Sequence, residues 1–184
     1  MDDKVVSNQR SRRALWVGLG VWIVIAGLVA LFAIGGPSEQ SPAASRILNQ
    51  RVPAVVGTTM DDEHFDIDQH RGQWVAINFF ATWCPGCVLE HPELVAFDKQ
   101  AQANGAAQLV SIVFNDSADN VTEFFDKNGG DWPILQQPGL AVDFQVAQLP
   151  ETFLVAPDGT VTHRFQGQVT AQLLWDAIDS VSRP

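Results

Sequence analysis

Residues 74–87 read WVAINFFATWCPGC, and this stretch decides the fold. From Trp74 to Ala81 it is a near-continuous apolar run, which suits a central strand buried on both faces of a sheet. It ends at Cys84 and Cys87, with Pro85 and Gly86 between them, where the strand gives way to a helix predicted over Pro85 to about Ala103. Pro85 suits the first helical position, because its missing N–H is one the helix does not use and its φ is already helical. Cys84 then falls at the helix cap and Cys87 one turn in, facing the same way.

That placement has chemical meaning. Only a thiolate attacks a disulfide, and a helix N-terminus stabilises one with free N–H donors and the positive end of the peptide dipoles. Cys84 and Cys87 are the only cysteines, and a loop so short removes too little chain entropy to serve as a structural staple. The spacing predicts a reactive pair, with Cys84 at an exposed tip as attacking thiolate and Cys87, more buried, as resolving thiol. Two thiolates would also suit Cu(I) or half a zinc site. No second CxxC exists, however, and His64, His70, His91 and His163 show no ligand spacing, so no metal is expected.

Along the same helix Cys87, Glu90, Leu94, Phe97 and Ala101 recur at helical spacing, placing a carboxylate in an apolar stripe one turn below Cys87. A desolvated Glu90 would have a raised pKa and could exchange a proton with Cys87. At the edge of the stripe it would instead reach solvent, and spacing alone leaves both arrangements open. Pro92 breaks the hydrogen-bond ladder and is predicted to kink the helix.

Downstream, residues 107–114 (AQLVSIVF) form the next buried strand, and Asn115-Asp116-Ser117 turns and caps a helix containing Val121, Phe124 and Phe125. Residues 132–135 suggest a short strand and residues 139–146 a short helix. Residues 152–156 and 160–166 flank Pro157-Asp158-Gly159-Thr160, which predicts an antiparallel hairpin. Residues 170–182 form a last amphipathic helix. The order implies an α/β fold, a mixed central sheet flanked by helices.

Upstream, residues 14–34 (ALWVGLGVWIVIAGLVALFAI) hold no charge, and 21 residues at ~1.5 Å each span a hydrocarbon core of ~30 Å. Arg10, Arg12 and Arg13 precede the run, so residues 1–13 are expected in the cytoplasm and the remainder outside it. A cleaved signal peptide is disfavoured because the run exceeds the roughly 7–15 residues of a signal core and Pro42-Ala43-Ala44-Ser45 is a poor cleavage site. Residues 35–45 (GGPSEQSPAAS) read as a flexible linker, leaving 46–184 as one exported domain. The formal charge of −10 divides into +2 for residues 1–13 and −12 for the rest. A body this acidic lacks the footprint that phosphate binding requires, which excludes nucleic acid as a partner.

The run Trp83-Cys84-Pro85-Gly86-Cys87 with Glu90 and Pro92, followed by Leu149-Pro150-Glu151-Thr152-Phe153-Leu154-Val155, resembles the membrane-tethered thioredoxins of the ResA/TlpA/CcmG (DsbE) type. The likeness runs from about Val52 to the C-terminus. It implies a thioredoxin-like fold on the extracytoplasmic side, reducing protein disulfides such as the haem-binding CxxCH of apocytochromes c. It implies Cys84 as nucleophile, Cys87 as resolving thiol, Glu90 as acid/base and Pro150 as a cis-proline beside the disulfide. Trp83, Pro85 and the backbone of Leu149 are implied to meet the substrate. Asn78 stands six residues before Cys84, where thioredoxin proper has a buried Asp, so Glu90 is the natural substitute as proton acceptor. The implied partners are exported thiol or disulfide proteins and a membrane electron-transfer protein that re-reduces the pair, with no cofactor beyond the dithiol. Rival readings are a disulfide-donating oxidase, a Cu(I)-binding oxidase-assembly factor and a peroxidase. The copper proteins of this fold carry CxxxCP with a downstream His, and peroxiredoxins need Thr or Ser where Ala81 stands.

Overall fold

In the computed structural model residues 46–182 are described. The tail, membrane helix and linker predicted over residues 1–45 lie outside them, and no helix among the described residues is long and apolar enough to cross a membrane. Strands β1 (Val56–Thr58) and β2 (His64–Asp66) make a small antiparallel ribbon. The main sheet is built from β3 (Trp74–Phe80), β4 (Ala107–Val113), β5 (Ile134–Leu135), β6 (Glu151–Val155) and β7 (Val161–Gln166), in the order β5-β4-β3-β6-β7. β4 runs parallel to both β3 and β5, whereas β6 is antiparallel to both β3 and β7, giving the mixed sheet expected. The helices are α1 (Pro85–Asn104), α2 (Ala118–Asn128), α3 (Gly139–Asp143) and α4 (Ala171–Ser182).

Every residue of β3 is buried, so its two faces feed two cores. Trp74, Ala76 and Phe80 pack with Leu94, Phe97 and Ala101 of α1 and with Leu174 and Ile178 of α4. Val75, Ile77 and Phe79 point the other way, into a layer with Leu140 of α3, Phe144, Phe153 and Phe65 of β2. Phe79, Phe97, Phe144 and Phe153 are fully buried, each contributing ~2–3 kcal/mol of transfer free energy.

Asn78 shares the face of Ala76 and Phe80, beneath α1. In register its row-mates are Thr152 on β6 and Ser111 on β4. A buried polar row, Thr152-Asn78-Ser111, thus crosses the face of the sheet beneath α1. Ser111 accepts the indole N–H of Trp132 at 2.8 Å.

The helix predicted from Pro85 runs unbroken past Pro92 and ends on Gly105, whose φ of 65° supplies the left-handed cap. The short helix expected over residues 139–146 ends at Asp143. The β1–β2 ribbon was not legible, because three-residue strands carry too little apolar alternation to register.

Candidate active site

The site lies where β3 meets α1. Cys84 is the N-cap of α1 in extended conformation, and its Sγ accepts the backbone N–H of Cys87 at 3.1 Å. The two cysteines are joined in a disulfide. The expectation of an exposed Cys84 is corrected: it is 5% exposed against 3% for Cys87, and both belong to the core beneath α1. The physical reason is a wall of chain. Residues 146–149 stand beside the disulfide, and with Trp83, Pro85 and Phe114 they line a cleft of about 350 Å³ that includes Cys84.

Two neighbours fix the redox turn. Asp116 Oδ2 accepts from the Thr82 backbone N–H at 2.7 Å and from its hydroxyl at 2.6 Å, while Oδ1 accepts from Ser117 N and Asn120 Nδ2. Partial burial works against that carboxylate's charge, but these hydrogen bonds outweigh it and hold its pKa below the ordinary Asp value. Trp83 is more than half exposed, and its indole N–H donates to the Asn115 carbonyl at 3.1 Å.

Pro150 follows a cis peptide bond and packs against the Cys84–Cys87 turn through Gly86. Gly86 lies against it: a Cβ on Gly86 would come within 2.9 Å of Pro150 Cδ. The absence of a side chain at Gly86 therefore lets the first turn of α1 approach the proline, a requirement the sequence did not announce.

Glu90 is 2% exposed, which resolves the alternative the spacing left open. Its carboxylate binds two separate segments: Oε1 accepts from Asn78 Nδ2 at 2.8 Å and Oε2 from the Val169 N–H at 3.0 Å. Asn78 Nδ2 also donates to Thr152 Oγ1 at 3.0 Å. Burial pushes the Glu90 pKa up to about 7, against the opposing pull of the hydrogen bonds from Val169 and Asn78. Asn78 thus supports Glu90 where a second carboxylate would repel it. Sequence reasoning noted Asn78 only as a missing Asp, and it gave no role to Thr152 or Val169.

His91, the next residue of α1, faces a different neighbourhood. It is buried among Phe124, Phe125 and Trp132 and hydrogen-bonded to the Gly129 carbonyl at 2.7 Å, and burial lowers its pKa. It packs α2 against α1.

A mixed sheet with a dithiol capping its first long helix and a cis-proline against that helix's first turn defines a thiol-disulfide oxidoreductase of thioredoxin-like fold. The family model described as Redoxin matches residues 47–177, and the chain belongs to that family, among the oxidoreductases of the ResA/CcmG/DsbE type. The thiol:disulfide interchange protein DsbE of Vibrio cholerae is 24% identical over 169 residues, covering 88% of this chain and 89% of that protein. CycY of Rhizobium leguminosarum, also a thiol:disulfide interchange protein, is 31% identical over 136 residues, 72% of this chain and 64% of that one. The crystal structure of a thioredoxin-family thiol:disulfide interchange protein from Chlorobium tepidum superposes with a TM-score of 0.66 at 25% identity, covering 72% of this chain and 95% of that one.

Proposed function

We propose that this oxidoreductase runs as a reductant of protein disulfides, with Cys84 as nucleophile, Cys87 as resolving thiol and Glu90 as the proton acceptor and donor. The observation that carries this reading is the buried Glu90 carboxylate, one turn below Cys87 on the same face of α1. A group with a pKa of about 7 is suited to taking and returning a proton near neutral pH.

In the cycle, the Cys84 thiolate attacks one sulfur of a substrate disulfide. The substrate S–S bond breaks, one substrate thiolate leaves, and a mixed disulfide forms. Cys87 gives its proton to Glu90, attacks the Cys84 sulfur as a thiolate and releases the second substrate thiolate. Two electrons have then passed to the substrate, and the pair is left as the Cys84–Cys87 disulfide. Trp83, Pro85 and Leu149 line the cleft in which the substrate chain would lie. A membrane electron-transfer protein returns the two electrons.

The resemblance noted in the sequence favours the CxxCH segment of apocytochromes c as substrate, and the charge-free run at residues 14–34 favours an anchored domain on the extracytoplasmic side. The test is a Cys87→Ala variant of the full chain in its native membrane. Mixed disulfides through Cys84 with exported proteins, apocytochromes among them, are expected. No adduct with any exported protein would overturn the assignment. The reduction potential checks the direction: a value around −270 mV fits a reductant, one near −120 mV an oxidant.

A further inference from the structure

Glu151 and Arg164 form a buried ion pair that the redox chemistry does not use. The Glu151 side chain is wholly buried and that of Arg164 is 4% exposed. Arg164 Nε donates to Glu151 Oε1, and the guanidinium lies over the Phe153 ring, 5.5 Å from its centroid. A buried pair is a poor device for stability alone, since apolar residues of similar volume often do as well or better. What distinguishes this one is where two of its further hydrogen bonds go. Glu151 Oε2 accepts the Ala147 backbone N–H at 3.1 Å, and Arg164 Nη2 donates to the Gln145 carbonyl at 2.8 Å.

Both bonds hold the segment between α3 and β6. That segment leaves α3 through Gln145, whose φ of 53° is left-handed, and Val146, Ala147, Gln148 and Leu149 then line the cleft beside Cys84. The segment forms no strand or helix, and Glu151 directly follows Pro150. We infer that the Glu151–Arg164 pair is a positioning device that holds this wall at the distance a polypeptide disulfide needs to reach Cys84. The inference rests on the oxidoreductase reading. It assigns the pair to substrate binding, away from the electron and proton transfers.

The test compares the full chain with Glu151→Gln and with the double variant Glu151→Leu/Arg164→Met, which removes both charges and leaves neither buried alone. Two readouts are taken. Amide hydrogen exchange should accelerate at least ~10-fold at residues 145–149 while β6 and β7 stay protected. For an oxidised CxxCH peptide, KM should rise ~10-fold while the limiting rate and the reduction potential hold, the signature of lost binding without lost chemistry. Unchanged exchange in residues 145–149, or a fall in limiting rate or a shift in potential at constant KM, would overturn the inference. If the parent protein fails to reduce the peptide, the reductant reading falls, and the exchange measurement still decides the clamp.

Discussion

A carboxylate inside a core is tolerable when its hydrogen bonds are prearranged, and Glu90 receives one from the sheet through Asn78 and one from the loop before α4 through Val169. Glu90→Gln keeps the shape and removes the titration. Stopped-flow kinetics of the full chain should then show resolution by Cys87 slowed ~100-fold, within the usual range for losing a positioned proton acceptor. The inflection near pH 7 should disappear from the pH–rate profile. Gly86→Ala pushes a methyl against Pro150 and should destabilise the domain by ~1–3 kcal/mol, as overpacking does, measurable by urea unfolding. Cys84 and Cys87 were legible from their place at a strand-to-helix joint and Glu90 from its stripe with Cys87, although spacing left its burial open and the resemblance supplied its role. The burial of Cys84 was not, since its wall comes from residues about sixty positions later. The partnership of Glu151 with Arg164 was equally hidden, because it requires the β6–β7 hairpin to be folded first.

At the scale of elements, the redox turn is tied to the start of α2 as well as to α1. Ser117 caps α2 by accepting the Asn120 N–H, and Asp116 beside it holds Thr82. Ser117→Ala should cost ~1 kcal/mol, the ordinary worth of an N-cap, with little effect on the dithiol. Asp116→Ala frees both hydrogen bonds to Thr82, so thermal unfolding should show a larger loss, ~1–3 kcal/mol. The strand-to-helix joint and the β6–β7 hairpin could be read from apolar runs and turn residues, and the Asn115-Asp116-Ser117 cap from its chemistry. The β1–β2 ribbon could not, since its residues order themselves by pairing and by packing Phe65 under the sheet.

Over the whole molecule, the same burial that equips Glu90 makes stability depend on pH. Its folded pKa of about 7 lies above the ordinary 4.5, so the folded state favours the protonated form. The advantage is full below the unfolded value and is lost as pH rises through the folded one, a change of about 3 kcal/mol. Asp98 acts in the same direction, raised to about 6 by burial and by the charge of Asp131. Relative to Glu90→Gln, the parent should therefore lose stability between about pH 5 and pH 8, as followed by urea midpoints; His70, His91 and His163, whose pKa values burial lowers, act in the opposite direction and cancel in that comparison.

The place of β3 in the sheet has a consequence for how the protein comes into being. Its parallel neighbour β4 follows closely in sequence, but its other neighbour is β6, with Ile77 set against Phe153. A chain made from its N-terminus presents Cys84 and Cys87 long before Thr152, Pro150 and Val169 exist to surround them. Until the last third is synthesised, the dithiol has no proline against its turn, no bonded Glu90 beneath it and no wall beside it. The surroundings that bury the dithiol are thus the last part of the site to be made.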